Sequence, residues 1–188
     1  MTLGCNEKNR AGWNRDDLWQ TRVWQIGYSG RYFANRLKEH PIEFSSDRIL
    51  QTSPAPEGEF NRDHQIDFGT GQQLLASAAP EYKGNEAKVN PEESLLAALS
   101  SCHMLTFLTI AHLKRLPVES YRDNATAEIG KKESGKIAVT RMSLNPEVTF
   151  AEGTEIDRET LEKIHEKAHA NCFIANSLAA DTEVEINF

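Results

Sequence analysis

Asn90-Pro91-Glu92-Glu93-Ser94-Leu95-Leu96-Ala97-Ala98-Leu99-Ser100-Ser101-Cys102-His103-Met104 opens the most apolar stretch of the chain. Asn90 is a good helix N-cap, because its side-chain oxygen can accept from an amide that the first turn leaves unpaired. Pro91 suits the first helical position, and Glu93 stands where a capping box needs a carboxylate. The pattern predicts a helix over residues 91–116, ended by Pro117. Its body, through Leu95, Leu96, Ala98, Leu99, Leu105, Phe107, Leu108 and Ile110, is apolar nearly all round. Such a helix must be covered on several sides. One small sheet covers only one of them, so a second subunit is the expected cover for the rest. A membrane span is the poorer reading, because Cys102, His103, His112, Lys114 and several hydroxyls would be costly against lipid.

Upstream, Phe60, His64, Ile66 and Phe68 mark a strand over residues 60–68, turned by Gly69-Thr70-Gly71 into a return over 72–77. Residues 41–44 read as a short strand, and Thr52-Ser53-Pro54-Ala55-Pro56-Glu57-Gly58 as loop. Downstream, residues 120–129 and 136–144 flank Gly130-Lys131-Lys132-Glu133-Ser134-Gly135 as a hairpin. Residues 146–151 extend that sheet, a second helix spans 157–176, and a strand over 183–188 closes the chain. The order β-β-helix-β-β-helix-β describes an α+β domain over residues 41–188, with helices on one sheet face. Residues 1–40 hold all three tryptophans (Trp13, Trp19, Trp24) without clean periodicity and read as an N-terminal extension.

The bulk numbers narrow the function classes. The 188 residues carry a net charge of −7, and the first sixty hold eight basic and eight acidic side chains, so the excess acid lies beyond them. No basic stripe offers a nucleic-acid surface. The N-terminus lacks the apolar run of a secretory signal. Cysteines at 5, 102 and 172 do not form a secreted disulfide framework. A cytoplasmic protein is expected, with thiols that are either reactive or simply buried. Cys5 lies in a polar segment and reads as a bystander.

Taken alone, Cys102 and Cys172 are most simply core residues. Cys102 is mid-helix and receives no help from the positive helix end, so a reactive Cys102 needs a cation from elsewhere. Cys172 falls on the stripe Leu161, Ile164, His165, Ala168, Cys172, in the expected last turn of the second helix. A helix C-terminus disfavours a thiolate, which suits a resolving role better than an attacking one.

The stretch from Asn90 to Met104 resembles the first-cysteine helix of the osmotically inducible protein C and organic hydroperoxide resistance superfamily. There Asn-Pro-Glu starts a helix and the peroxidatic cysteine follows the glutamate by ten residues, as Cys102 follows Glu92 here. Ala170-Asn171-Cys172-Phe173-Ile174-Ala175-Asn176-Ser177 is similar to the second-cysteine segment, and the resemblance covers about residues 60–188. It implies an intertwined homodimer with two long helices packed on antiparallel sheets. It also implies reduction of organic hydroperoxides by Cys102, resolution by Cys172, regeneration by a small or lipoyl-type dithiol, and no cofactor. Family members steer the reactive thiolate with an arginine and a glutamate. Glu92 matches the glutamate, yet ten residues of helix span ~15 Å, so contact with Cys102 requires the other subunit's copy. No Gly-Arg-Asp-Gly turn is present. Arg62, in Phe60-Asn61-Arg62-Asp63-His64, is the first candidate for the arginine and Arg48 the second. The chain departs from the hydroperoxide-resistance branch at Phe173, where that branch has proline, and His103 follows the first cysteine.

Two rival readings remain at this level. His165, His169 and Cys172 share one helix face, a spacing compatible with a soft-to-borderline metal ion. An apolar dimer cleft would also suit a ligand-binding module without catalysis. A Cys-His hydrolase is the poorer reading, because adjacent helical side chains diverge by ~100° and His103 cannot serve Cys102 as a base.

Overall fold

The strand alternation around Ile66 and the glycine turn after Phe68 produce a three-stranded antiparallel sheet in the order β1 (Ser46–Gln51), β2 (His64–Phe68), β3 (Gln73–Ala76). Gly71, at φ +81°, supplies the left-handed position of the β2–β3 turn. The computed structural model describes residues 46–51 and 60–188, and Ser46–Phe188 forms one compact unit. The short strand expected over residues 41–44, the loop over 52–58 and the 1–40 extension fall wholly or largely outside the described residues. Strand β1 was not foreseen.

The capping box forms as the sequence requires. Asn90 Oδ1 accepts from the Glu93 amide at 2.8 Å, and Glu93 Oε2 accepts from the Asn90 amide at 3.1 Å. It starts helix α1 (Pro91–Leu113), which ends earlier than expected. Arg115 adopts φ +60°, and the amides of Arg115 and Leu116 donate to His112 O and Ala111 O, both at 2.9 Å. This is a Schellman-type stop, made before Pro117 is reached.

Beyond α1, the single strand expected over residues 120–129 is two strands in two sheets. β4 (Val118–Asp123) pairs with β7 (Pro146–Phe150), while β5 (Thr126–Lys131) pairs with β6 (Ile137–Leu144), both antiparallel. Asn145 is the reason for the break. Its amide donates to Asp123 Oδ1 at 2.7 Å and its side chain to Asn124 O at 2.8 Å, tying the two crossings together. Residues 146–150 therefore do not extend the β5–β6 hairpin as expected. Helix α2 (Arg158–Ala170) follows, capped by the Asp157 carboxylate on the Thr160 amide, and β8 (Glu183–Ile186) closes the sheet beside β6. The β6–β8 pair is parallel, so the expectation of antiparallel sheets holds for the other described pairs only.

The fold is α+β, with two helices packed on small sheets. Two cores share α1. Phe107, Ile110 and Ala111 pack with Ile164 and Ala168 of α2 beneath the β4–β7 sheet. About two turns earlier, Leu99 packs with Met142, Leu144 and Cys172 beneath the β5–β6–β8 sheet. The opposite flank of α1 is open, with Leu105 58% and Leu113 56% exposed.

Candidate functional site: a thiol pair beside a histidine pair

Cys102 and Cys172 meet at the second core. Both thiols are free, Cys102 half-buried and Cys172 fully buried, and the two side chains are within hydrogen-bonding reach. Leu96, Ala125, Val139, Ile174, Leu178, Val184 and Ile186 surround them. Cys172 is not in a helical turn as expected, because α2 stops at Ala170. The loop that follows holds it instead. Cys172 O accepts from the Asn176 amide at 3.0 Å and from Asn176 Nδ2 at 2.9 Å, and Cys172 Sγ accepts from the Ala175 amide at 3.4 Å. Burial pushes the Cys172 thiol up to about 11, helped by the Cys102 sulfur and opposed by the Ala175 and Ile174 amides. Apolar enclosure, rather than the helix end, is what keeps Cys172 protonated.

Immediately beside the thiols lies a feature that sequence reasoning saw only as scattered histidines. His103 Nε2 and His165 Nδ1 are 3.1 Å apart, with the rings stacked at 5.4 Å and 5°. Both side chains are fully buried, and Phe107 and Phe188 lie 4.5 and 4.3 Å from the His165 ring. Burial lowers each histidine to about 4, so the pair is neutral near pH 7. One ring donates and the other accepts. The outer nitrogens, His103 Nδ1 and His165 Nε2, have no partner. Only the pairing of 103 with 165 across 62 residues hides this feature from the sequence.

Glu92 stands in the first turn of α1, roughly 15 Å along the helix from Cys102, and no hydrogen bond or ion pair joins it to the thiols among the described residues. Arg62 lies over the Phe60 ring at 4.0 Å and donates to Phe60 O at 3.3 Å. Neither is brought to Cys102 within one chain. Arg48 is in β1, its backbone paired opposite Asp67. The next residue after Arg62, Asp63, accepts from Lys88 Nζ at 2.8 Å and Asn85 Nδ2 at 3.3 Å, which ties this strand end to the loop leading into α1. The metal reading is not supported: no group of three His, Cys, Asp or Glu is arranged to hold an ion among the described residues. His165 Nδ1 is already engaged by His103. A groove of about 560 Å³, lined by Leu108, His112, Arg115, Leu116, Pro117 and Val118, opens at the far end of α1.

An α+β domain with one accessible and one buried thiol in contact defines a class of two-thiol proteins. The sequence profile of the OsmC-like protein family matches residues 84–187, and the chain belongs to that family. An OsmC-like protein of unknown function from Vibrio cholerae is 42% identical, covers 77% of this chain and 99% of its own, and superposes with a TM-score of 0.71. Organic hydroperoxide resistance proteins share the fold at lower identity. One from Elizabethkingia anophelis is 20% identical over 76% of this chain and 96% of its own (TM-score 0.55). One from Bacillus subtilis is 15% identical over 77% and 97% (TM-score 0.53). No match was found among proteins of curated function.

The histidine pair makes stability depend on acid. In the folded state each ring stays neutral down to about pH 4, whereas unfolded histidines protonate near 6.5. The unfolded chain therefore binds more protons between those values, and stability falls as pH is lowered through that window. Urea midpoints measured from pH 7.5 to 4 will decline, and the decline will be shallower in a His103→Leu/His165→Leu double variant.

Proposed function

We propose that this protein is a cytoplasmic thiol-dependent peroxidase that reduces organic hydroperoxides, with Cys102 attacking and Cys172 resolving. The observation that carries the reading is the contact between a half-exposed and a fully buried free thiol, both within the segment that matches the OsmC-like family. The Cys102 thiolate attacks the terminal peroxide oxygen, the O–O bond breaks, and the leaving alkoxide takes a proton to become the alcohol. Cys102 is left as a sulfenic acid. The Cys172 sulfur attacks it, water leaves, and a disulfide forms. An external dithiol of the small or lipoyl type then restores both thiols by exchange. Because burial keeps Cys172 protonated and covered, it does not compete for peroxide.

The site is completed by a second copy of the chain in an intertwined homodimer. Two observations support this: the uncovered side of α1 at Leu105 and Leu113, and the ~15 Å that separates Glu92 from Cys102 on one helix. The first sheet also leaves Leu75 54% exposed. In the dimer, Arg62 supplies the permanent positive charge at the reactive thiol, aimed by Glu92 of the opposite subunit.

Cys102→Ser will abolish turnover of cumene hydroperoxide with a dithiol. Cys172→Ser will still form a trappable Cys102 sulfenic acid but no intramolecular disulfide. Full turnover in Cys102→Ser overturns the mechanism. Arg62→Ala will slow iodoacetamide alkylation of Cys102 at pH 7 about tenfold while leaving the protein folded, and Glu92→Ala will do so more weakly. A loss in Arg48→Ala alone assigns the role to that residue instead. Light scattering at micromolar concentration will give twice the chain mass, and a compact monomer would contradict the shared site.

A further inference from the structure

We infer that the buried His103–His165 pair is a register strut, positioning residues whose hydrogen bond fixes α1 against α2 so that Cys102 and Cys172 meet in bonding geometry. The inference rests on the pairing of the two thiols in the proposed function, but not on the peroxide step. His103 is the residue after Cys102, turned about 100° around α1, so it faces α2 while the thiol faces the second core. His165 lies seven residues before Cys172, about two turns up α2. The strut therefore joins α1, which carries Cys102, to α2, whose end leads two residues later into the loop that holds Cys172.

The remaining contacts between α1 and α2 at this level are apolar: Phe107, Ile110 and Ala111 against Ile164 and Ala168. Apolar contacts are non-directional and tolerate sliding. A disulfide does not. It needs Cα atoms roughly 4.4–6.8 Å apart with converging Cβ vectors, and a slip of one residue moves a helix by about 1.5 Å and rotates it. A short hydrogen bond between two stacked rings supplies the direction that the apolar contacts lack.

The energetics point the same way. Two fully buried imidazoles each leave one ring nitrogen without a partner, a state that costs free energy relative to apolar side chains of similar size. A leucine pair would satisfy packing better, so the histidines are not explained by stability. The charged and polar groups that act on the pair are His169 on α2 and Asp123 on β4, neither hydrogen-bonded to it. A metal or a general base is not the explanation either, since the inner nitrogens bond each other and His103 points away from the Cys102 sulfur.

The test is thiol–disulfide exchange of the whole protein with oxidised glutathione. One glutathione disulfide takes two electrons from the protein dithiol, giving the Cys102–Cys172 disulfide and two reduced glutathiones. In His103→Leu and in His165→Phe, which keeps an aromatic ring between Phe107 and Phe188, the effective concentration of the pair will fall about tenfold, a shift of about 30 mV. Thermal midpoints at pH 7 will stay equal or rise. His103→Gln and His165→Asn place an amide nitrogen where Nε2 and Nδ1 stand, and they will recover most of the loss. Parent-like exchange in both apolar variants overturns the strut, as does an equal loss in the amide variants. Failure of peroxide turnover in the parent, with the exchange shift intact, would overturn the peroxidase reading and leave the strut standing.

Discussion

Everything in this domain is arranged around an apolar helix that a single small sheet is too narrow to cover. Twenty-three residues from Pro91 to Leu113 present leucine, alanine, phenylalanine and isoleucine on most sides. The chain answers by splitting its strands. One sheet and α2 close over the C-terminal half, while a second sheet and the loop after α2 close over the N-terminal half. The split is made at Asn124 and Asn145, where an asparagine and an aspartate carboxylate absorb the backbone groups that leave the ladder. Cys102 sits near the junction of the two cores, and that location lets the loop after α2 reach the thiol while His165 of α2 reaches the histidine next to it.

The site inverts the usual economy of a core. Most buried positions here are apolar, yet the pair of imidazoles and the Cys172 thiol sit where hydrocarbon would be less costly. Both are held in their neutral forms by enclosure. A neutral, protonated Cys172 is a poor nucleophile toward peroxide, while a sulfenic acid in contact with it is a strong electrophile. In the mechanism proposed above, burial separates the two steps in time: Cys172 is held back until Cys102 has reacted. The Ala175 and Ile174 amides directed at its sulfur favour the thiolate when attack comes.

Helix α1, its cap and the β2–β3 turn were legible because they rest on local rules: an Asn-Pro-Glu-Glu start, an apolar run and a glycine turn read directly from neighbouring residues. The errors fall where a non-local bond decides. The strand break at Asn124 depends on Asn145, twenty-one residues later; Asp123-Asn124 is a turn-favouring pair, but only the bonds to Asn145 assign the two strands to separate sheets. The end of α2 was set too late because Leu161, Ile164, Ala168 and Cys172 keep helical spacing. That spacing carries past Ala170 even though the backbone has already turned. The parallel β6–β8 pair depends on where the chain returns from α2, which composition does not encode. His103 and His165 were each visible, but their union is a property of helix packing alone.

That union also explains why the metal reading was attractive from sequence and fails in three dimensions. Histidines at 165 and 169 with a cysteine at 172 share a stripe only if the helix continues through all three. It ends at Ala170, so Cys172 leaves the stripe and turns its sulfur toward Cys102. His165, meanwhile, rotates its Nδ1 to a partner on the other helix. The same few residues that could have formed a ligand set are distributed between a pair of free thiols and a neutral hydrogen bond. A soft ion needs deprotonated thiolates and free imidazole nitrogens converging on one point. Here the thiol is kept protonated by its walls, and of the three ring nitrogens without a partner, His169 Nδ1, His103 Nδ1 and His165 Nε2, the last two lie on the outer sides of a stacked pair. Termination of one helix two residues before a cysteine is therefore what brings the two thiols together in place of a ligand set.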